Sequence, residues 1–192
     1  MSYNGGQTFR EVGWIPFGDI QSDMVELDLT KSRYTGNRVS TKRQCGYTYA
    51  FSTAVQRYAH RTHWRATAMV RPVRGGVDFT ICLKFSGVRY SLQAVQPDAG
   101  PARAEVVNRI LPVISTVRQD LSFDRESGFA TLEMRYDPAR KSVRPLVNGN
   151  VLGPEYFGFD QFLNYPGVDI SVYQLESETG EAVIGDIRFE MA

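Results

Sequence analysis

The sequence predicts an all-β chain, an antiparallel two-sheet sandwich with at most one short helix. Three observations predict it. Apolar residues alternate with polar ones through most recognisable runs, which is the period of a strand and not of a helix. The runs are short and set apart by Gly, Pro, Asn and Asp. The 192 residues, 42% apolar and 12% aromatic, are enough for one sandwich that fills its own core without staples.

Met24 to Leu29 alternates, and Tyr47 to Thr53 is aromatic and rich in β-formers. Thr62 to Pro72 places Trp64, Ala66, Ala68 and Val70 on one face, and His63, Arg65, Thr67, Met69 and Arg71 on the other. Gly75-Gly76 then predicts a turn before Val77 to Phe85, whose Phe79, Ile81, Leu83 and Phe85 share a side. Ser86-Gly87 reads as a hairpin connection into Val88 to Gln96, with Tyr90, Leu92 and Ala94 together. In Pro101 to Val117 the spacing of Val106, Val107, Ile110 and Leu111 is helical. Pro101 suits a first turn and Pro112 would end it, so this segment predicts a short helix or irregular insertion, then a strand from Val113.

Phe129 to Tyr136 alternates again, Asp137-Pro138 predicts a turn, and Ser142 to Val147 returns to Asn148-Gly149-Asn150. A loop rich in Tyr and Phe follows, bracketed by Gly153-Pro154 and Tyr165-Pro166-Gly167. Val168 to Ser177 and Ala182 to Met191 close the chain, joined at Glu178-Thr179-Gly180. The pattern is nine or ten hairpin-connected strands in a single domain, residues 1–192, with no repeat or linker.

Several of these motifs resemble one fold family. Leu132 to Pro138, the strand Val143 to Val147 and the turn Asn148-Gly149-Asn150 are similar to the central hairpin of concanavalin A-like and laminin G-like jelly rolls. Arg89-Tyr90-Ser91-Leu92 and Ile187-Arg188-Phe189-Glu190 resemble strands of that class. The resemblance covers roughly residues 60 to 190 and implies a jelly-roll sandwich, a lectin-like role in carbohydrate binding, or a glucanase-like activity. It also allows a calcium site at the rim.

Composition narrows the rest. No run approaches the roughly 18 apolar residues of a membrane helix. Met1 to Gly6 shows no signal-peptide pattern, and the compartment stays open. Cys45 and Cys82 form neither a C-x-x-C pair nor part of a four-ligand set. They read as buried thiols, or as one disulfide if the domain is secreted. The net charge of +1 hides an asymmetry: residues 31–90 hold twelve basic residues and one acid, for +11. Residues 1–30 carry −4 and residues 91–192 carry −6.

Glu26 and Asp28 share a strand face, as do the acids of the E-x-D-x-E motif of jelly-roll glucanases, but the third position here is Thr30. His60 and His63 are three apart and face opposite ways on a strand, and no third ligand accompanies them. Asp98, Asp124, Asp137, Asp160, Asn148 and Asn150 could offer oxygens to calcium, without identifying spacing, so no metal residue is assigned.

The basic strands carry the strongest signal. Arg65, Arg71, Lys84, Arg89, Ser91 and Gln93 would gather on one sheet if their strands are neighbours. Arg forks bind carboxylates and phosphates bidentately, which would suit an acidic polysaccharide, an anionic lipid surface or nucleic acid. The loop 156–165 holds five aromatics beside Asp, Asn and Gln, the side-chain mixture that sugar sites use. The sequence therefore predicts a glycan-binding module, with Arg65, Arg71, Arg89, Gln93, Tyr156 and Phe159 as candidate ligand-binding residues and nucleic acid disfavoured. It needs no cofactor. The alternatives are a polysaccharide hydrolase or lyase drawing on Arg65, Gln93, His63 and a Tyr, and an assembly protein that associates with other copies of itself. No catalytic residue is assigned.

Overall fold

A computed structural model of the chain describes residues 1–30, 33–81, 89–110, 113–157, 167–176 and 178–192. Its strands in chain order are β1 (Ser2–Tyr3), β2 (Ile15–Asp28), β3 (Arg33–Ala50), β4 (Trp64–Ile81), β5 (Arg89–Gln96), β6 (Arg103–Ile110), β7 (Val113–Asp120), β8 (Ala130–Asp137), β9 (Ser142–Val147), β10 (Asn150–Val151), β11 (Tyr156–Phe157), β12 (Gly167–Tyr173) and β13 (Gly180–Met191). One short helix, α1 (Thr53–Tyr58), follows β3, where Ser52 caps it by accepting the Val55 N–H at 3.4 Å.

Two long strands, β3 and β4, run through both layers of a sandwich. In the first layer β13 lies between residues 37–41 of β3 and 64–74 of β4, and β8 and β9 extend it beyond β4. In the second layer β12 lies between residues 44–50 of β3 and 76–81 of β4, and β5, β6 and β7 follow in order. β2 runs along the free edge of β3. All these pairs are antiparallel, so the layers are one hydrogen-bonded sheet folded over its own apolar face.

The bend in β4 explains how one strand serves two sheets. Trp64, Ala66, Ala68, Val70 and Pro72 point inward, and after the bend Val77 and Phe79 do. The inward parity has changed by one residue, which a period-two strand tolerates only across an irregularity. A register shift supplies it: Glu181 and Ala182 of β13 pair with Arg74 and Pro72, which leaves Val73 as the extra residue, and Gly75, at φ +80°, follows in the bend. Gly75-Gly76, expected as a turn between two strands, is thus a bend within a single one.

The expected helix after Pro101 is also corrected. Its residues form β6 and, past position 112, β7, which pair with each other from Arg103–Asp120 to Ile110–Val113. Ala104 and Val106 face the core while Arg103, Glu105 and Val107 face out. The adjacent Val106-Val107 imitates helical spacing, but the open edge of β5 offers a full ladder of backbone partners and decides the outcome.

Between the layers lie Phe79, Leu92, Leu132, Met134, Ile170, Ile184 and Ile187, all essentially inaccessible. Each such side chain contributes about 1.5–3 kcal/mol by leaving water. Phe9 plugs one end, stacked between Tyr3 at 4.4 Å and Tyr47 at 4.6 Å. Asn148 and Gly149, at φ +50° and +79°, make the tight β9–β10 turn that the Asn-Gly pair predicts. Among the described residues no helix is long and apolar enough to cross a membrane.

Candidate functional site

The outer face of the second layer is unusually polar and unusually shielded. Register aligns Gly46, Ser171, Asp78, Gln93, Glu105 and Arg118 in one row across β3, β12, β4, β5, β6 and β7. Asp78 and Ser171 are each 2% exposed, Glu105 6%, and Ser91 beside them 0%. Buried polar groups persist only where partners hold them. The Thr80 hydroxyl donates to Asp78 at 3.0 Å and Gln44 Nε2 donates to the Ser171 hydroxyl at 3.2 Å. Glu105 Oε1 receives Arg103 Nε at 2.5 Å and Arg118 Nε at 3.1 Å.

Tyr173 lies across this row. Its cross-strand neighbour on β4 is Gly76, and a Cβ there would stand 2.2 Å from Tyr173 Cζ. The ring therefore rests where a side chain would otherwise be. Its hydroxyl donates to Gln93 Oε1 at 2.9 Å, and Gln93 Nε2 donates to the Ser91 hydroxyl at 3.4 Å. Gly75 and Gly180 pack against the Tyr173 carbonyl, where a Cβ would approach to 2.2 and 2.5 Å. Gly76 thus seats the ring, and Gly75 and Gly180 make room for the backbone that carries it. Tyr173, Gln93, Asp78, Glu105, Arg103 and Arg118 line a groove of about 660 Å³, with Arg43 exposed at its side.

The outer face of the first layer carries a second groove of about 700 Å³, containing Arg65, Glu133, Arg135 and Phe123. Glu133, 2% exposed, receives Arg65 Nε at 2.8 Å, Arg65 Nη2 at 3.2 Å and Arg135 Nε. That hydrogen bond from its own strand holds the Arg135 guanidinium above its ordinary value. Farther along the same face, Arg71 donates to Glu26 at 2.5 Å and stands 5.2 Å above the Phe129 ring. Arg38 joins Glu26 to Glu181.

The residues singled out by sequence are thus divided. Arg65 and Arg71 do share the face opposite Trp64, but their salt bridges hold them on the first layer, while Gln93 belongs to the second. The bend at Gly75 separates what the sequence placed on one sheet. The backbones of Arg89 and Tyr156 pair with Arg109 and Val143, and their side chains, with Lys84 and Phe159, lie outside the described residues. Glu26 and Asp28 are not a catalytic pair, since Glu26 joins two arginines and Asp28 accepts the Thr30 N–H at 3.0 Å.

His60 Nε2 accepts from Arg61 at 3.0 Å, and His63 sits near Arg135 and Glu155 in a small cavity of about 150 Å³. Arg65, Gln93 and His63 therefore do not converge. Among the described residues no three of His, Cys, Asp and Glu cluster as metal ligands. Asp124 and Asp137 are occupied as turn acceptors, and the Ser127 amide and hydroxyl hold the Asp124 carboxyl below its usual range. Asp160 and Cys82 lie outside the described residues, and Cys45 is a buried free thiol.

No family model and no curated protein matches the sequence. Solved structures do match its shape. A legume lectin-like domain from Entamoeba histolytica superposes with a TM-score of 0.61 at 9% identity, covering 100% of this chain and 97% of that one. The carbohydrate-binding module CBM66 from Bacillus subtilis gives 0.52 at 8%, over 93% and 95% of the two chains. Lectin I-B4 from Griffonia simplicifolia, in its metal-free form, gives 0.51 at 12%, over 100% and 99%.

The chain has the concanavalin A-like lectin fold. Identities near one in ten fix the lectin fold and nothing finer, so the groove must be read from its own residues. Sequence reasoning missed Tyr173, Asp78 and Glu105. The signal was present in Gly75-Gly76, because paired glycines within a strand pattern mark a bend or the close approach of another group.

Proposed function

We propose that the chain binds carbohydrate on the outer face of the second layer, with Tyr173 as the stacking platform. The observation that carries this is the ring seated over Gly76 and tied to Gln93. A sugar presents an apolar C–H face and a rim of hydroxyls. An aromatic ring seated among fixed carboxylate, amide and guanidinium groups matches both. Because protein groups already hold these side chains, little ordering accompanies binding, which favours affinity. The names of the similar proteins, two lectins and a carbohydrate-binding module, support a glycan as the ligand class.

The finer reading is a glycan with an acidic substituent. Arg43, Arg103 and Arg118 border the groove against Asp78 and Glu105, and the exposed Arg43 and the outer end of Arg118 remain for a carboxylate. Calorimetric titration with neutral and uronate-bearing oligosaccharides tests both levels. Wild type is expected to bind at least one, and Tyr173→Ala to weaken it about tenfold, as loss of an aromatic contact does. Equal affinity in that variant would refute the platform. A preference for neutral sugars would refute only the acidic reading.

A second reading, association of copies, is favoured by β2. This edge strand exposes Ile15, Phe17, Met24 and Leu27, and among the described residues it pairs with β3 alone. Asp19 and Asp28 along it oppose self-pairing at low salt. Sedimentation at low and high salt is expected to show association only in the latter, and a monomer throughout would end this reading.

A further inference from the structure

The opposite face carries a charge arrangement that glycan binding at Tyr173 does not use. Arg65 of β4 lies directly opposite Arg135 of β8, and Arg135 directly opposite Arg144 of β9. Neighbouring strands are about 4.8 Å apart, so three cationic side chains rise from one line roughly 10 Å long. Like charges directly opposite one another destabilise a sheet. One buried carboxylate, Glu133, offsets two of the three. Arg144 Nη2 lies 3.7 Å from Glu155 Oε2, which Arg140 holds more closely at 2.8 Å. Glu190, next in the row beyond Arg65, makes no ion pair with it among the described residues.

The way Glu133 is held matters. Arg135 donates to it through Nε, and Arg65 through Nε and Nη2, so each guanidinium keeps further N–H donors that Glu133 does not take. Both side chains are about half exposed, 50% and 52%, above a carboxylate that is 2% exposed. The guanidinium groups are thus held by a shielded carboxylate and line the groove. That presentation suits a group with three or more acceptor oxygens.

We propose that Arg65 and Arg135, flanked by Arg144, form a second binding site for a tetrahedral oxyanion, a sulfate or phosphate group. The site stands independently of the Tyr173 groove, from which the apolar core separates it. Glu133 is its positioning residue: it orients both forks and does not itself touch the ligand. Phe123 and Phe129 also line the groove, outside the arginine row, and Asp124 in its wall is taken by the Glu126 and Ser127 amides, so the arginines are the groups there with charged N–H donors for an oxyanion.

The test follows arginine Nε–Hε resonances of nitrogen-15-labelled protein during titration with sodium sulfate, and separately inorganic phosphate, at ionic strength fixed with sodium chloride. Saturable shifts of the Arg65 and Arg135 signals are expected. Arg65→Lys/Arg135→Lys keeps the charge and the pairing to Glu133 but removes the forks, and it is expected to weaken binding about tenfold. Arg144→Gln, which leaves Glu133 fully held, is expected to weaken it about threefold. Tyr173→Ala should bind sulfate and phosphate as wild type does, so failure here is separable from failure of the glycan reading. A sulfated and a phosphorylated disaccharide, each against its unsubstituted parent, then distinguish the two sources. Shifts that do not saturate, that chloride reproduces, or that persist in both arginine variants would overturn the proposal.

Discussion

The two outer faces of the sandwich use the same device and end with different chemistry. Each holds one shielded glutamate clasped by two arginines through Nε: Glu105 by Arg103 and Arg118, and Glu133 by Arg65 and Arg135. In each, one arginine sits two residues away on the glutamate's own strand and the other on a neighbouring strand. What separates the faces is glycine. On the second layer Gly76 leaves room for Tyr173 to lie down, and the clasp becomes one wall of a mixed aromatic and polar groove. On the first layer β-branched and charged residues fill the corresponding space, and three arginines stand in register instead. A missing Cβ, and not an added functional group, turns a salt-bridged sheet face into a platform.

Substitutions sharpen that contrast, and the largest effect falls on the bend. Gly75→Ala places a Cβ 2.2 Å from the Tyr173 carbonyl at φ +80°, against backbone that cannot step aside. A loss of about 3 kcal/mol is expected in urea unfolding. A loss below about 0.5 kcal/mol, the range of an ordinary surface change, would mean that the bend is soft and the seat of Tyr173 adaptable.

Next come the two clasps. Glu133→Gln and Glu105→Gln each leave two arginines over a neutral amide. Because the arginines are partly solvated, the expected cost is about 1–2 kcal/mol, well short of that for a fully buried pair. Glu133 should be the costlier, being the more deeply shielded of the two. Thermal unfolding of the two variants side by side checks the order, and the reverse order would show that the first-layer clasp is less tightly organised than its distances indicate.

A smaller effect concerns the end of the sandwich, away from both grooves. Burial raises the Asp23 carboxyl above its ordinary range, against the lowering influence of the Tyr47 hydroxyl that donates to it. The folded chain therefore keeps this proton at pH values where the unfolded chain, near 3.8, has released it. Asp23 then favours folding most at acidic pH, and that contribution falls as pH rises from the unfolded value through the raised folded one. Asp23→Asn is expected to flatten this part of the stability profile, and an unchanged slope would place the pH dependence elsewhere. Smallest of all, burial pushes the Cys45 thiol up to about 11, so it should stay unmodified by thiol reagents at neutral pH until the protein unfolds.

Much of the fold was legible in the sequence. The alternation in the first half of β4 placed its inward face correctly, and the Asn148-Gly149 and Asp137-Pro138 turns fell where their chemistry demanded. The exceptions have physical causes. β6 and β7 were obscured because Val106-Val107 mimics a helix when no partner strand is in view. The long edge of β2 was half hidden by Pro16, Gly18 and its register shifts, which break alternation. The candidate site was less legible. Arg65, Arg71 and Gln93 have the right outward parity, but a one-residue change of parity at Val73, just before the Gly75-Gly76 bend, sends them to opposite sides of the core. Tyr173 gains its role only from Gln93 and Gly76, about 80 to 100 residues away, and Glu105 from Arg118 across a hairpin that the sequence had read as helix, juxtapositions that spacing along one chain does not encode.

The most direct measurement compares glycan affinity in Gly76→Ala with that in Arg65→Lys/Arg135→Lys, using whichever oligosaccharide wild type binds best. The atoms that an added Cβ at Gly76 meets first belong to the movable ring of Tyr173, so the variant is expected to fold while the ring lifts from its seat. The account predicts about tenfold weaker binding in Gly76→Ala, with affinity unchanged in the first-layer variant. Full affinity in Gly76→Ala, or its loss in the first-layer variant alone, would contradict the claim that the glycine-seated ring is the platform.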